Sequence, residues 1–69
     1  MTLVTLNGSP HELPEGSTVE AAVREAGANG DARGVAVAID GEVVPRGDWD
    51  GFELRDGQRI EVLQAVQGG

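Results

Sequence analysis

Residues 17–27 read STVEAAVREAG, and this stretch decides the fold. Val19, Ala22, Val23 and Ala26 recur at i, i+3, i+4 and i+7, the spacing that lines one face of a helix. Glu20, Arg24 and Glu25 take the other side, and Glu20 stands four residues before Arg24, a favourable pairing. Ser17 and Glu20 have the spacing of a capping box, with Ser17 as the cap and Glu20 reaching back. Gly27 then serves as the C-terminal cap.

On either side of this helix the sequence turns to hairpins. Thr2 to Leu6 is rich in β formers, and Asn7-Gly8 is a strong hairpin signal because both residues tolerate positive φ. The return strand covers about Pro10 to Leu13, and Pro10 places its start on a sheet edge. Pro14-Glu15-Gly16 reads as a turn. Beyond the helix, Ala28 to Gly34 reads as a loop. Val35-Ala36-Val37-Ala38-Ile39 is a strand with large residues on one face and alanines on the other. Asp40-Gly41 is a second hairpin signal, and Glu42 to Val44 is the partner strand, ended by Pro45. Arg46 to Glu53 is irregular, with Trp49 and Phe52 anchoring it to the core. Asp56-Gly57 is a third turn, and Arg59 to Ala65 is the final strand. Hairpin, helix, hairpin and last strand make an α+β domain, with one helix across one face of a mixed sheet.

Composition narrows the function. Sixty-nine residues allow one small domain, with no room for a core and a deep substrate pocket together. There is no Cys, which excludes disulfides, thiolate metal sites and a Cys nucleophile and fits a cytoplasmic protein. The longest apolar run, Val35 to Ile39, is far short of the ~20 residues that span a bilayer, and no signal peptide is visible. The net charge of -7 argues against nucleic-acid binding, which depends on Lys/Arg contacts to phosphate. All five basic residues are arginines. Such acidity suits partners with basic surfaces, and serves solubility equally well.

Leu3-Val4, Val43-Val44 and Val62-Leu63 are adjacent apolar pairs within strands. Successive strand residues point to opposite faces, so one of each pair cannot face the helix. Either loops cover these side chains or the open face is a contact surface. The candidates for chemistry are few. His11 is the only histidine and has no positioned partner; Asp48-Trp49-Asp50 is too short for a calcium loop. There is no glycine fingerprint for phosphate before the helix and no nucleophilic triad. No metal site is expected. Eleven glycines remain to be explained. Nine fall in turns, loops and the helix end. Gly68-Gly69 follow a strand and close the sequence. A diglycine threads a channel that any Cβ would block, and it carries a carboxylate that needs activation before a nucleophile can attack it.

Together these residues resemble the sulfur carrier proteins of thiamine biosynthesis, the ThiS family of ubiquitin-like β-grasp proteins. The resemblance covers nearly the whole chain. It is carried by Asn7-Gly8, Ser17-Thr18-Val19, Val35 to Gly41, Val43-Val44-Pro45-Arg46, Trp49, Asp56-Gly57, Arg59 to Val62 and Ala65-Val66-Gln67-Gly68-Gly69. It implies a β-grasp sheet of about five strands with one helix, a domain over residues 1–65 and a flexible tail over 66–69.

The resemblance also implies a protein co-substrate rather than an enzyme. An activating enzyme, using ATP and magnesium, would adenylate the Gly69 carboxylate. A persulfide donor, on a cysteine desulfurase or relay cysteine, would convert the adenylate to a thiocarboxylate. Thiazole synthase would then take the sulfur into the thiazole ring of thiamine. Gly68, Gln67 and Val66 would form the tail that reaches these enzymes. Val44, Leu63 and Ala65 are the candidate partner-binding residues on the sheet. No bound cofactor and no nucleic-acid or membrane partner is implied, and a free monomer suits a shuttle. Related carriers serve molybdopterin, cysteine or tRNA thiolation, and a ubiquitin-like binding module is the other reading. The chain departs from the family pattern in its small helix face, in Asp40 where asparagine is usual, and in Gln58 where an acidic residue is common.

Overall fold

The structure is a computed structural model and describes residues 1–27 and 34–64. Strand β1 (Thr2–Leu6) turns into β2 (Ser9–Leu13), the helix α1 (Val19–Glu25) follows, and β3 (Val35–Ile39) pairs with β4 (Glu42–Val44). A short 3-10 turn at Arg46–Asp48 leads towards β5 (Arg59–Gln64). The sheet order is β2-β1-β5-β3-β4. β1 and β5 are parallel and the other pairings antiparallel, so the first and last strands meet in the middle of a mixed sheet.

Both Xaa-Gly hairpins form as the sequence implies. Asn7 and Gly8 have φ of 50° and 84°, and Asp40 and Gly41 have 50° and 87°. Positive φ at both central residues is the two-residue turn whose twist matches that of the strands. Asp40 serves the position well: its Oδ1 accepts from the Arg59 N–H at 2.9 Å. Gln58 closes its own turn, with Oε1 accepting from the Arg55 N–H at 2.7 Å. Pro10 lies on the edge strand β2, opposite Thr5, where a missing N–H disrupts no inner ladder.

The helix departs from expectation at both ends. It is seven residues long, and Thr18, not Ser17, occupies the cap position, without a side-chain cap bond. Ser17 Oγ instead donates to the Pro14 carbonyl at 2.6 Å. The N–H groups of Val19 and Glu20 go to the backbone carbonyls of Phe52 (2.9 Å) and Trp49 (3.2 Å). The first turn of a helix leaves four donors without intrahelical partners, and a neighbouring segment satisfies two of them here. Leu54 N–H to Ser17 O at 2.8 Å and the Thr18–Glu53 bridge tie the same two segments further. At the other end Ala26 is exposed, because the helix stops at Glu25 and Ala26 is its C-cap. Gly27 follows at φ 84°, donating to Arg24 O at 3.0 Å, the C-terminal glycine that the sequence implies. The Glu20–Arg24 pair also forms, at 2.7 Å.

So short a helix is not stable alone; its buried face holds it. Val19, Ala22 and Val23 join one apolar cluster with Val4, Leu6, Val37, Ile39, Ile60 and Val62 from the strands. Trp49 enters the same cluster, and its indole N–H donates to the Val44 carbonyl at 2.9 Å. Phe52 packs against the cluster and is half-buried. The stretch read as irregular is therefore an anchored crossing, pinned by the indole ring and by its backbone hydrogen bonds to the start of the helix.

Candidate functional site

The candidate site has two parts: the end of the chain and the sheet face beside it. The expectations for Ala65, Val66, Gln67, Gly68 and Gly69 lie outside the described residues. What the structure places is their point of departure. β5 is the central strand, and Gln64 is its last residue. In sequence, residue 65 follows directly on the middle strand of the sheet.

On the face away from the helix, the alternation expected of the three apolar pairs is complete. Val4, Val44 and Val62 are buried, while Leu3, Val43 and Leu63 are exposed at 51%, 75% and 67%. Val44, a candidate partner-binding residue on sequence grounds, does not reach the surface: it is 6% exposed and lies in the core. The reason is register. Val44 pairs with Val37, a core residue, whereas Val43 pairs with Ala38 on the open side. Val43 is the exposed member of this pair. Leu63 pairs with Ala36, and Ala38 lies between Val43 and Glu61. Leu63, Ala36, Ala38 and Val43 therefore form a shallow apolar strip across β5, β3 and β4, at the end of β5 from which the tail continues. The small alanines leave the larger side chains standing proud. Leu3 belongs to the other end of the sheet, where its N–H donates to Asp56 Oδ1 at 2.7 Å and its carbonyl accepts from Gly57 at 2.8 Å.

Which member of the Val43-Val44 pair is exposed was already legible in the sequence. A two-residue hairpin puts Ile39 opposite Glu42, and counting outward places Val44 with Val37 and Val43 with Ala38. His11 lies half-buried on β2 opposite Val4. Among the described residues, no three or more His, Asp or Glu side chains are grouped to hold a metal ion. No helix among them is long and apolar enough to cross a membrane.

A five-stranded mixed sheet with β1 and β5 parallel at its centre and one helix against one face defines a ubiquitin-like β-grasp protein. The ThiS family model matches residues 4–69, and the chain belongs to that family. The sulfur carrier protein ThiS of Thermus thermophilus is 37% identical over 67 residues, which cover 97% of this chain and 100% of that protein. The crystal structure of the thiamine biosynthesis protein ThiS from Geobacter metallireducens superimposes with a TM-score of 0.76 at 28% identity, covering 99% of this chain and 100% of the other.

Proposed function

We propose that this chain is a sulfur carrier of thiamine biosynthesis, a protein co-substrate that bears sulfur on the carboxylate of Gly69. The observation that carries the reading is the family match, which extends through Gln67-Gly68-Gly69 to residue 69. The name of the Thermus relative supports the same role.

The chemistry follows from the carboxylate. An ionised carboxylate is a poor electrophile, so a carboxylate oxygen first attacks the α-phosphorus of ATP, held with magnesium on an activating enzyme. Pyrophosphate leaves, and an acyl-adenylate forms. The terminal sulfur of a persulfide on a cysteine desulfurase or relay cysteine then attacks the adenylate carbonyl and expels AMP, giving an acyl disulfide. A second cysteine thiolate attacks the donor cysteine's sulfur, so that the thiocarboxylate leaves and a cysteine disulfide remains. Thiazole synthase takes that sulfur into its product. In this scheme Gly68 and Gly69 enter narrow active sites without side chains to obstruct them, with Gln67 and Val66 spanning to the domain. A monomer in the cytoplasm suits such traffic between enzymes.

The experiment is direct. The protein is incubated with ATP, magnesium, its activating enzyme and a sulfide source, and intact mass is measured. The expected gain equals one sulfur replacing one oxygen, on the C-terminal peptide. No gain from an enzyme that charges another family member rejects the carrier reading. A deletion strain rescued by thiazole or thiamine assigns the pathway. A strain that thiamine does not rescue moves the carrier to molybdopterin, cysteine or tRNA thiolation.

The apolar strip is the surface on which both enzymes would dock, through Leu63 and Val43; Ala65, two residues further along the sequence, stays a candidate contact. Leu63→Asp is expected to lower stability by no more than about 1 kcal/mol, the span of strand propensities at an exposed position. The same change should raise the KM of the activating enzyme for the carrier by roughly tenfold or more, the loss expected at one of the few contacts that dominate an interface. Urea unfolding and steady-state charging kinetics test both halves. An unchanged KM removes the strip from the interface.

A further inference from the structure

We propose that Asn7 is a positioning residue for the tail: its side chain takes the place of a missing strand residue and holds the end of β5. The inference rests on the carrier reading above and concerns how the domain presents Gly69.

Backbone groups of β5 alternate between its two neighbours. Arg59 faces β3, where its carbonyl accepts from the Asp40 N–H at 2.8 Å. Gln58 and Ile60 face β1, with their carbonyls accepting from Thr5 at 3.0 Å and Asn7 at 2.9 Å. By the same alternation Val62 faces β1, but β1 has already ended at Leu6. The chain reverses at Asn7 and Gly8, both at positive φ, and enters β2. No backbone of β1 remains opposite Val62. The Asn7 carboxamide stands there instead. Its Oδ1 accepts from the Val62 N–H at 2.8 Å, and its Nδ2 donates to the Val62 carbonyl at 3.3 Å.

The residue type is specified twice over. A carboxamide carries one acceptor and one donor side by side, as a peptide group does. Asparagine is also among the few non-glycine residues that accept positive φ. Aspartate fits the turn but sets a second oxygen against the Val62 carbonyl. Glycine fits the turn and offers neither group. Asn7 is thus the last partner that the first hairpin provides to β5, three residues before the segment that leads to Gly69. Its two bonds span 55 positions of sequence. Loss of the clamp leaves β3 as the one flank holding this end of the strand, and a looser strand end must be ordered each time a partner docks. Ordering on binding weakens association, so the effect belongs in KM.

The test uses Asn7→Gly, which keeps the turn, Asn7→Asp, which keeps the acceptor, and Leu13→Val, a mild core change on the far strand β2. Hydrogen exchange by NMR should show Val62 protection reduced about tenfold in Asn7→Gly, the scale of a lost backbone-type hydrogen bond, and reduced less in Asn7→Asp, which keeps the oxygen that accepts from the Val62 N–H. Glu61 and Leu63 should change less. In charging assays with ATP and sulfide, Asn7→Gly should raise the KM of the activating enzyme for the carrier by roughly tenfold at unchanged kcat, and Asn7→Asp by less, through the same ordering cost. Leu13→Val should leave both parameters at the wild-type values. Unchanged Val62 protection overturns the clamp. Lost protection with wild-type KM makes Asn7 structural only and overturns the positioning role. A wild-type protein that accepts no sulfur overturns the carrier reading itself, and the exchange data still decide whether Asn7 clamps β5.

Discussion

Removal of Gly69, or addition of one residue after it, is expected to abolish thiocarboxylate formation while leaving the unfolding midpoint unchanged. One residue moves the chain end by about 3.3–3.6 Å. Reacting atoms must lie about 3–3.5 Å apart for attack, and an error of about 1 Å already costs on the order of a hundredfold. A shift of a whole residue removes the carboxylate from reach of the α-phosphorus, and an added residue places an unreactive amide there. Stability is another matter. Among the described residues the buried apolar core runs from Val4 to Val62, well before the diglycine. Intact mass after charging and a thermal melt of each variant separate the two effects. A variant lacking Gly69 that still gains sulfur would end the tail mechanism.

Trp49→Ala is expected to remove much of the protein's folding stability. The ring is 4% exposed within the apolar cluster, and its N–H is bonded to the Val44 carbonyl. Truncating a buried Trp costs about 3–5 kcal/mol through lost burial and the cavity left behind. A domain of this size has a total stability of roughly 3–10 kcal/mol. The Trp49 carbonyl also receives the Glu20 N–H, so displacing the residue loosens the start of the helix. Trp49→Phe keeps an aromatic ring and loses the indole hydrogen bond, which should cost about 1 kcal/mol for the bond, besides the smaller ring's packing. Far-UV circular dichroism and urea titration measure both. If Trp49→Ala retains wild-type stability to within about 1.4 kcal/mol, one tenfold step in the folding equilibrium, the anchoring role is wrong.

Much of this architecture was legible because it is written in local geometry. Asn7-Gly8 and Asp40-Gly41 each specify a tight reversal through positive φ, and Pro45 ends β4. The alternation of Val35 to Ile39 fixes which face is buried, and the three apolar pairs divide between faces as alternation requires. The failures share one cause. Ser17 has the right type and spacing for a helix cap, but the distant carbonyls of Phe52 and Trp49 satisfy the first helical N–H groups in its place. Val44 and Val43 are chemically identical, and the register of β4 on β3 separates core from surface. Asn7 carries a turn signal that concealed a second task, visible only against Val62.

By itself the sequence determined the strands, the helix, the two-residue reversals, the acidic charge and the diglycine end. These depend on residue type and on spacing along the chain. Tertiary structure alone decided that β1 and β5 lie side by side in parallel, that the 49–54 crossing completes the start of the helix, and that Asn7 continues a ladder β1 had left unfinished. The first two join backbone groups far apart in sequence, and the third sets a side chain against such groups. A backbone N–H or carbonyl is the same in nearly every residue, so the identity of its distant partner is set by the folded arrangement rather than by any side chain nearby.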